Sequence, residues 1–227
     1  MKLLRFTLKS LSPGMLQDPA TEELLNNLRL GNRPQKKTDW SIDEESATKL
    51  YRSEKNCMGV PTQNIMSAII GAGQHVKSGK KNISTAKTTT LFDFLEFVDD
   101  FCEFLDCDDK GNIAWKPFLS KGNLENKGSK VAVCLTRPRI PHWRLQLVVK
   151  FDDKRGIDQG TVLKLVETAG RKTGLCNWRP SCKGRFGRFV VEKVETVPMK
   201  ADEHIVEEIV YTMEDAPEEL RALAAVA

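Results

Sequence analysis

The stretch that decides the fold is Val131-Ala132-Val133-Cys134-Leu135-Thr136-Arg137-Pro138-Arg139-Ile140-Pro141-His142-Trp143-Arg144-Leu145-Gln146-Leu147-Val148-Val149-Lys150. Val131, Val133 and Leu135 alternate with Ala132, Cys134 and Thr136, the two-residue period of a strand. Pro138 and Pro141 bracket a turn. Trp143, Leu145, Leu147 and Val149 then alternate with Arg144, Gln146 and Lys150. Two alternating runs around a proline-marked turn read as a hairpin.

On the C-terminal side, Asp158 is placed to cap a helix whose Val162, Leu165, Val166 and Ala169 form one face. Gly170 to Gly174 ends that helix, and a strand follows from Phe186 to Val194. At the other end of the chain, Leu4, Phe6 and Leu8 alternate with Arg5, Thr7 and Lys9, giving a strand over Lys2–Ser10 that Ser12-Pro13-Gly14 breaks. Val60-Pro61-Thr62-Gln63-Asn64 opens a helix, with proline in the first turn where its missing N–H costs nothing. Ile65, Ala68, Ile69 and Ala72 share its stripe, and at Gly71 and Gly73 it either packs tightly or ends near His75. The order is therefore strand, helix, strand, strand, helix, strand. That is an α+β class, a ferredoxin-like (RRM-type) βαββαβ core, with a four-stranded antiparallel sheet, both helices on one face and the other face free for a ligand.

The expected organisation is a core over 1–200 with insertions at about 11–60 and 77–128, and an acidic helical tail over 201–227. In the first insertion Thr21 to Leu30 reads as a helix capped by Thr21 and ended by Gly31. Asn32 to Lys37 reads as a basic loop and Asp43 to Tyr51 as a short helix. In the second, 77–90 reads as a mobile basic loop, and 91–105 fits a helix or paired short strands. Asp109 to Asn112 reads as a turn, and Asn123 to Gly128 as a loop. The tail holds two short helices, roughly 203–211 and 216–225.

The 227 residues, 40% of them hydrophobic, suffice for a sizeable core and argue against general disorder. No apolar run approaches the roughly 20 residues of a membrane span, and the first residues read as a strand, not a leader. A cytoplasmic protein of a bacterium or a phage-infected host cell is the expectation, with no membrane partner. The six cysteines contain no C-x-x-C pair and read as free thiols. The spacing of Cys102, Cys107, Cys176 and Cys182 does not match a zinc knuckle.

The net charge of +4 is unevenly spread, at +6 over 1–90, −5 over 91–127, +10 over 128–200 and −7 over 201–227. A basic body suits a polyanionic partner. The sharpest local feature is Gly174-Leu175-Cys176-Asn177-Trp178-Arg179-Pro180-Ser181-Cys182-Lys183-Gly184-Arg185-Phe186-Gly187-Arg188-Phe189. Gly174, Gly184 and Gly187 permit positive φ and close backbone approach to a phosphate. Arg179, Lys183, Arg185 and Arg188 suit phosphate oxygens. Trp178 and Phe186 offer rings for base stacking, or else core anchors, and Trp178 fits either role. The pattern points to single-stranded RNA or DNA as partner, bound without catalysis and without a cofactor or metal.

Four segments of the chain resemble the RAMP superfamily of CRISPR proteins, above all the backbone subunits that coat guide RNA. They are Leu3-Leu4-Arg5-Phe6-Thr7-Leu8-Lys9-Ser10-Leu11-Ser12-Pro13-Gly14-Met15-Leu16, Gly59-Val60-Pro61-Thr62-Gln63-Asn64-Ile65, Arg137-Pro138-Arg139-Ile140-Pro141-His142-Trp143, and the glycine loop. The chain is also similar to small uncharacterised phage and prophage proteins. The resemblance spans about half of the chain and departs from the family at Asn177 and Ser181-Cys182-Lys183, where tighter glycine spacing is expected. It implies RNA binding along a groove and self-association into a filament, or assembly with other effector subunits. It makes Arg33, Lys36, Lys37, Lys77, Lys80 and Lys81 candidate phosphate contacts, beside Arg137 and Arg139 in the third segment. Some relatives cut RNA with a histidine, and His142, beside Arg139 and Trp143, is the one weak catalytic candidate for a metal-independent endoribonuclease. A further alternative is a phage factor that uses the free sheet face to bind a protein. Asp106 to Ile113 has the opening of a calcium loop, but Pro117 stands where a bidentate glutamate is needed.

Overall fold

The computed structural model describes residues 2–19, 29–30, 41–126, 129–153 and 156–198. The chain divides into two compact units, Met1–Val197 and Pro198–Ala227, and all but Pro198 of the second lies outside the described residues. The helix expected over Thr21 to Leu30 (apart from its last two residues), the loop of Arg33, Lys36 and Lys37, and the helices of the acidic tail also lie outside them. None of the described helices is long and apolar enough to cross a membrane.

The first unit is a mixed α/β structure with antiparallel sheets and few helices. Its strands are β1 (Lys2–Ser10), β2 (Met15–Leu16), β3 (Gly59–Pro61), β4 (Lys77–Ser78), β5 (Lys81–Asn82), β6 (Leu95–Phe97), β7 (Phe101–Glu103), β8 (Lys116–Asn126), β9 (Ser129–Ile140), β10 (Arg144–Phe151) and β11 (Phe189–Pro198). Its α-helices among the described residues are α1 (Ile42–Ala47), α2 (Thr62–Gly73) and α3 (Gln159–Thr168). The main sheet has the order β11-β1-β10-β6, and a second sheet has the order β2-β9-β8.

Alternation explains the main sheet. Leu4, Phe6 and Leu8 of β1 and Leu145, Leu147, Val149 and Phe151 of β10 are all buried on one face. Antiparallel pairing sets Leu4 against Val149, Phe6 against Leu147 and Leu8 against Leu145. The same core takes in Ile65, Ala68, Ile69 and Ala72 of α2 and Val162, Leu165 and Val166 of α3. Asp158 caps α3 as its sequence position predicts, accepting the Thr161 N–H, and that hydrogen bond holds its carboxyl below the usual carboxylate range.

The hairpin of the sequence reading is corrected. Residues 131–136 do form a strand, but β9 pairs along β8, from Lys116 opposite Arg139 to Asn126 opposite Ser129, and not with β10. The place beside β10 goes to β6, with Phe97 opposite Val149, and to a bridge from Phe104 to Leu145. Alternation identifies a strand but carries no information about its neighbour. Residues 91–105 thus resolve into a 3₁₀ turn and short strands, with β7 also pairing β3. The loop expected from Asn123 is the end of β8. The basic loop from residue 77 is a small hairpin, with Lys77 opposite Asn82 and Gly79 at φ +60°. Pro61 stands at the N-cap of α2 and ends β3, one step before the first helical turn.

Candidate nucleic-acid interface

The segment after α3 begins with a turn of π-helix, Ala169–Thr173, which Gly174 closes at φ +72° with its N–H donated to the Ala169 carbonyl at 2.7 Å. The loop then closes on itself, since Leu175 N–H donates to Gly187 O at 2.9 Å and Phe186 N–H to Trp178 O at 3.0 Å. It is also fastened to the turn after β1: Gly187 N–H donates to Gly14 O at 2.8 Å and Asn177 N–H to Leu16 O at 3.0 Å. Leu175, Cys176 and Phe186 are its buried anchors. The Cys176 thiol is pushed up to about 12 by burial, which keeps it neutral and unreactive.

The glycines of this loop serve the chain itself. A Cβ on Gly184 would lie 1.8 Å from the Trp178 carbonyl oxygen, and one on Gly187 would lie 1.9 Å from that of Leu175. Gly184 N–H goes to Arg179 O at 3.0 Å. The expectation that Gly184 and Gly187 approach a phosphate is corrected, because both N–H groups already have partners inside the protein. Cys176 (φ 58°), Trp178 (φ 48°) and Lys183 (φ 61°) take positive φ. Each costs on the order of 1–3 kcal/mol, a form of strain that concentrates where a backbone must present a side chain in one place.

What the loop presents is an aromatic cluster with cations around it. Phe118 of β8 meets Trp178 edge-on at 6.1 Å and Phe186 at 5.3 Å between ring centroids. Trp178 remains 38% exposed, whereas Phe186 is 3% exposed, so the stacking role given to Phe186 is corrected to that of an anchor. Lys183, Arg185 and Arg188 are exposed, with no ion-pair partner among the described residues; the Arg185 guanidinium lies over Phe186 at 5.8 Å. Arg179 is half-buried and holds the loop, with Nε donating to Ser181 Oγ at 2.9 Å and Nη1 to the Cys176 carbonyl at 2.8 Å.

The arginines of the third segment are committed within the fold. Arg137 Nε donates to Asp18 Oδ2 at 2.7 Å, and its guanidinium lies 5.9 Å from the Trp178 ring centre. Arg139 Nε donates to the Pro13 carbonyl at 2.9 Å. A Cβ on Gly14 would lie 2.1 Å from Ile140 O, so the turn after β1 packs tightly on the end of β9. Gln17, fully buried, donates to Gly59 O at 2.8 Å and accepts the Tyr51 N–H. Segments 3–16, 137–143 and 174–189 therefore meet directly, and 59–65 joins them through Gln17, the residue after the first. Phe118 and Asp18 had no signal in the sequence, because their roles depend on partners more than a hundred or some sixty residues away (Arg137 with Asp18, |i−j| 119, and Phe118 with Trp178).

Lys77, Lys80 and Lys81 are exposed on the β4–β5 hairpin, which Asn82 ties to the end of α2 through Gln74 O at 2.9 Å. The outer face of the main sheet is not a bare platform. Lys9 pairs with Glu192 at 3.0 Å and Lys150 with Glu96 at 2.9 Å, while Arg144 pairs with Asp106 and, at 3.7 Å, Glu192. The hydrogen bond from Arg144 holds the Asp106 carboxyl below its usual range, so the opening of the supposed calcium loop is an ion-pair partner. His142 is exposed, with no hydrogen-bond or ion-pair partner among the described residues, and lines a cavity together with Lys9, Asp106 and Arg144.

No family model and no curated protein matches the chain. Among solved structures it is similar to a chain in the cryo-EM structure of the Type III-B Cmr-beta bound to cognate target RNA, at 12% identity and a TM-score of 0.47. The match covers 87% of this chain and 61% of that one, so this chain spans about three fifths of its neighbour's length.

Proposed function

We propose that the chain binds single-stranded nucleic acid, RNA in preference to DNA, without cutting it, on a ferredoxin-like βαββαβ core. The sheet order β11-β1-β10-β6, with α2 between β1 and β6 in the chain and α3 between β10 and β11, supports that core. The binding reading rests on one observation. Lys183, Arg185 and Arg188, exposed and free of acidic partners among the described residues, share with the exposed Trp178 a loop whose backbone is locked in place. Free cations beside a partly open ring are what sequence-tolerant single-strand binding requires. The outer sheet face offers no such ring and its charges are internally paired, which argues for the loop over an RRM-type platform. The resemblance of the four segments to RNA-coating backbone subunits favours RNA, and with it assembly with further copies or other subunits on one strand.

The test is a gel-shift series with labelled ssRNA, ssDNA and duplex at several salt concentrations. The double variant Arg185→Ala/Arg188→Ala should weaken binding to all sequences alike. Removing two phosphate contacts should make the log–log salt dependence shallower by about 1.4 for a single strand. An unchanged slope rejects the loop as the contact surface, and RNA cut without added metal replaces binding by the nuclease reading.

A further inference from the structure

At the end of β1 a cavity of about 410 Å³ opens, within the roughly 300–1,000 Å³ range of small-molecule sites. Its open apolar lining is the exposed Ala114, with the buried Trp143 and Ile113 behind it. Its polar wall is Lys9, Asp106, His142 and Arg144. These charges are balanced: Arg144 is held by Asp106 and Glu192, and Lys9 by Glu192. A bare anion gains little from such a wall. A flat, neutral group with donors and acceptors along its edge gains more, because it meets carboxylate, ammonium and imidazole together with an apolar surface.

The cavity is bonded directly to the glycine loop. Ser10, on its rim, donates its N–H to Trp143 O at 2.9 Å and accepts the Trp143 N–H at 3.1 Å. The next residue, Leu11, donates its N–H to the Arg188 carbonyl at 2.9 Å. The exposed guanidinium group of Arg188 therefore belongs to a backbone one hydrogen bond removed from the cavity rim. We infer that this cavity receives one base of a bound single strand whose phosphates lie on Arg188 and Arg185. The inference rests on the single-strand reading above and adds a base-holding site to it. It gives His142 a role in contacting the base edge, in place of acid–base chemistry.

The test uses the full chain with an oligouridylate and with a ribose-phosphate strand of equal length built from abasic units. Two exposed positions on the cavity are changed, Ala114→Trp to fill it and His142→Ala to remove its free ring. Ala114→Trp should weaken binding of the base-bearing strand on the order of tenfold with the salt slope unchanged, since no phosphate contact is lost. It should leave the abasic strand bound as before, and His142→Ala should shift binding in the same direction. Unaltered binding by both variants overturns the cavity while leaving the loop reading in place. Absence of salt-dependent binding by the unaltered chain to either strand overturns both.

Discussion

Gly187 and Gly79 separate two reasons for a glycine. Both have positive φ, +72° and +60°. Only Gly187 is also enclosed, with backbone of Leu175 where a Cβ would stand, whereas nothing lies within 4 Å of one on Gly79. Gly79→Ala should cost roughly 1 kcal/mol, the left-handed backbone alone. Gly187→Ala adds a clash with a carbonyl that cannot move without releasing the loop, and should cost roughly 3 kcal/mol or more. Urea midpoints at constant m-value measure the difference. Equal costs would mean that the loop yields, and that Trp178 is not held.

The β8–β9 hairpin holds Trp178 through one face only. Phe118 is half-buried and edge-on to two rings, while its neighbour Leu119 is 50% exposed. Edge-to-face pairs contribute about 0.5–1.5 kcal/mol each beyond burial. Phe118→Ala should therefore destabilise by roughly 2–3 kcal/mol and Leu119→Ala by less than about 0.5 kcal/mol. Phe118→Ala should also weaken single-strand binding through Trp178, though Phe118 itself carries no charge. If the two substitutions cost the same, the hairpin does not brace the loop.

For the molecule as a whole, titration bounds stability on both sides. Asp106, Asp153 and Asp158 are held below the usual aspartate range, by Arg144, Lys2 and the Thr161 N–H respectively, and Glu195 is held low by Lys193. Their folded values lie below their unfolded ones, so this stabilisation is complete above the ordinary carboxylate range and is lost as pH falls through the lowered values. Burial raises the Cys102 thiol to about 11 and the Cys176 thiol to about 12. Those two contribute below the ordinary thiol value and lose their effect as pH rises toward the raised ones. The urea midpoint should be flat near neutrality, fall below about pH 4 and fall again above about pH 9. A midpoint that rises on acidification contradicts the ion pairs of the outer sheet face.

Local chemistry made much of this protein legible before any tertiary contact is considered. Leu4, Phe6 and Leu8 announce β1, Asp158 announces α3, and the stripe from Ile65 to Ala72 announces α2. In each case the signal is a period or a cap that neighbouring residues supply among themselves. Tertiary structure alone decided that β9 pairs with β8, that a broken strand at 95–104 completes the main sheet, and that Phe186 is an anchor beside a half-open Trp178. It also decided that Arg137 belongs to Asp18, while Arg185 and Arg188 are left without ion-pair partners among the described residues. Pairing, register and charge compensation join residues far apart in the chain, and the free energy that selects among such partners is not written in any one stretch of sequence.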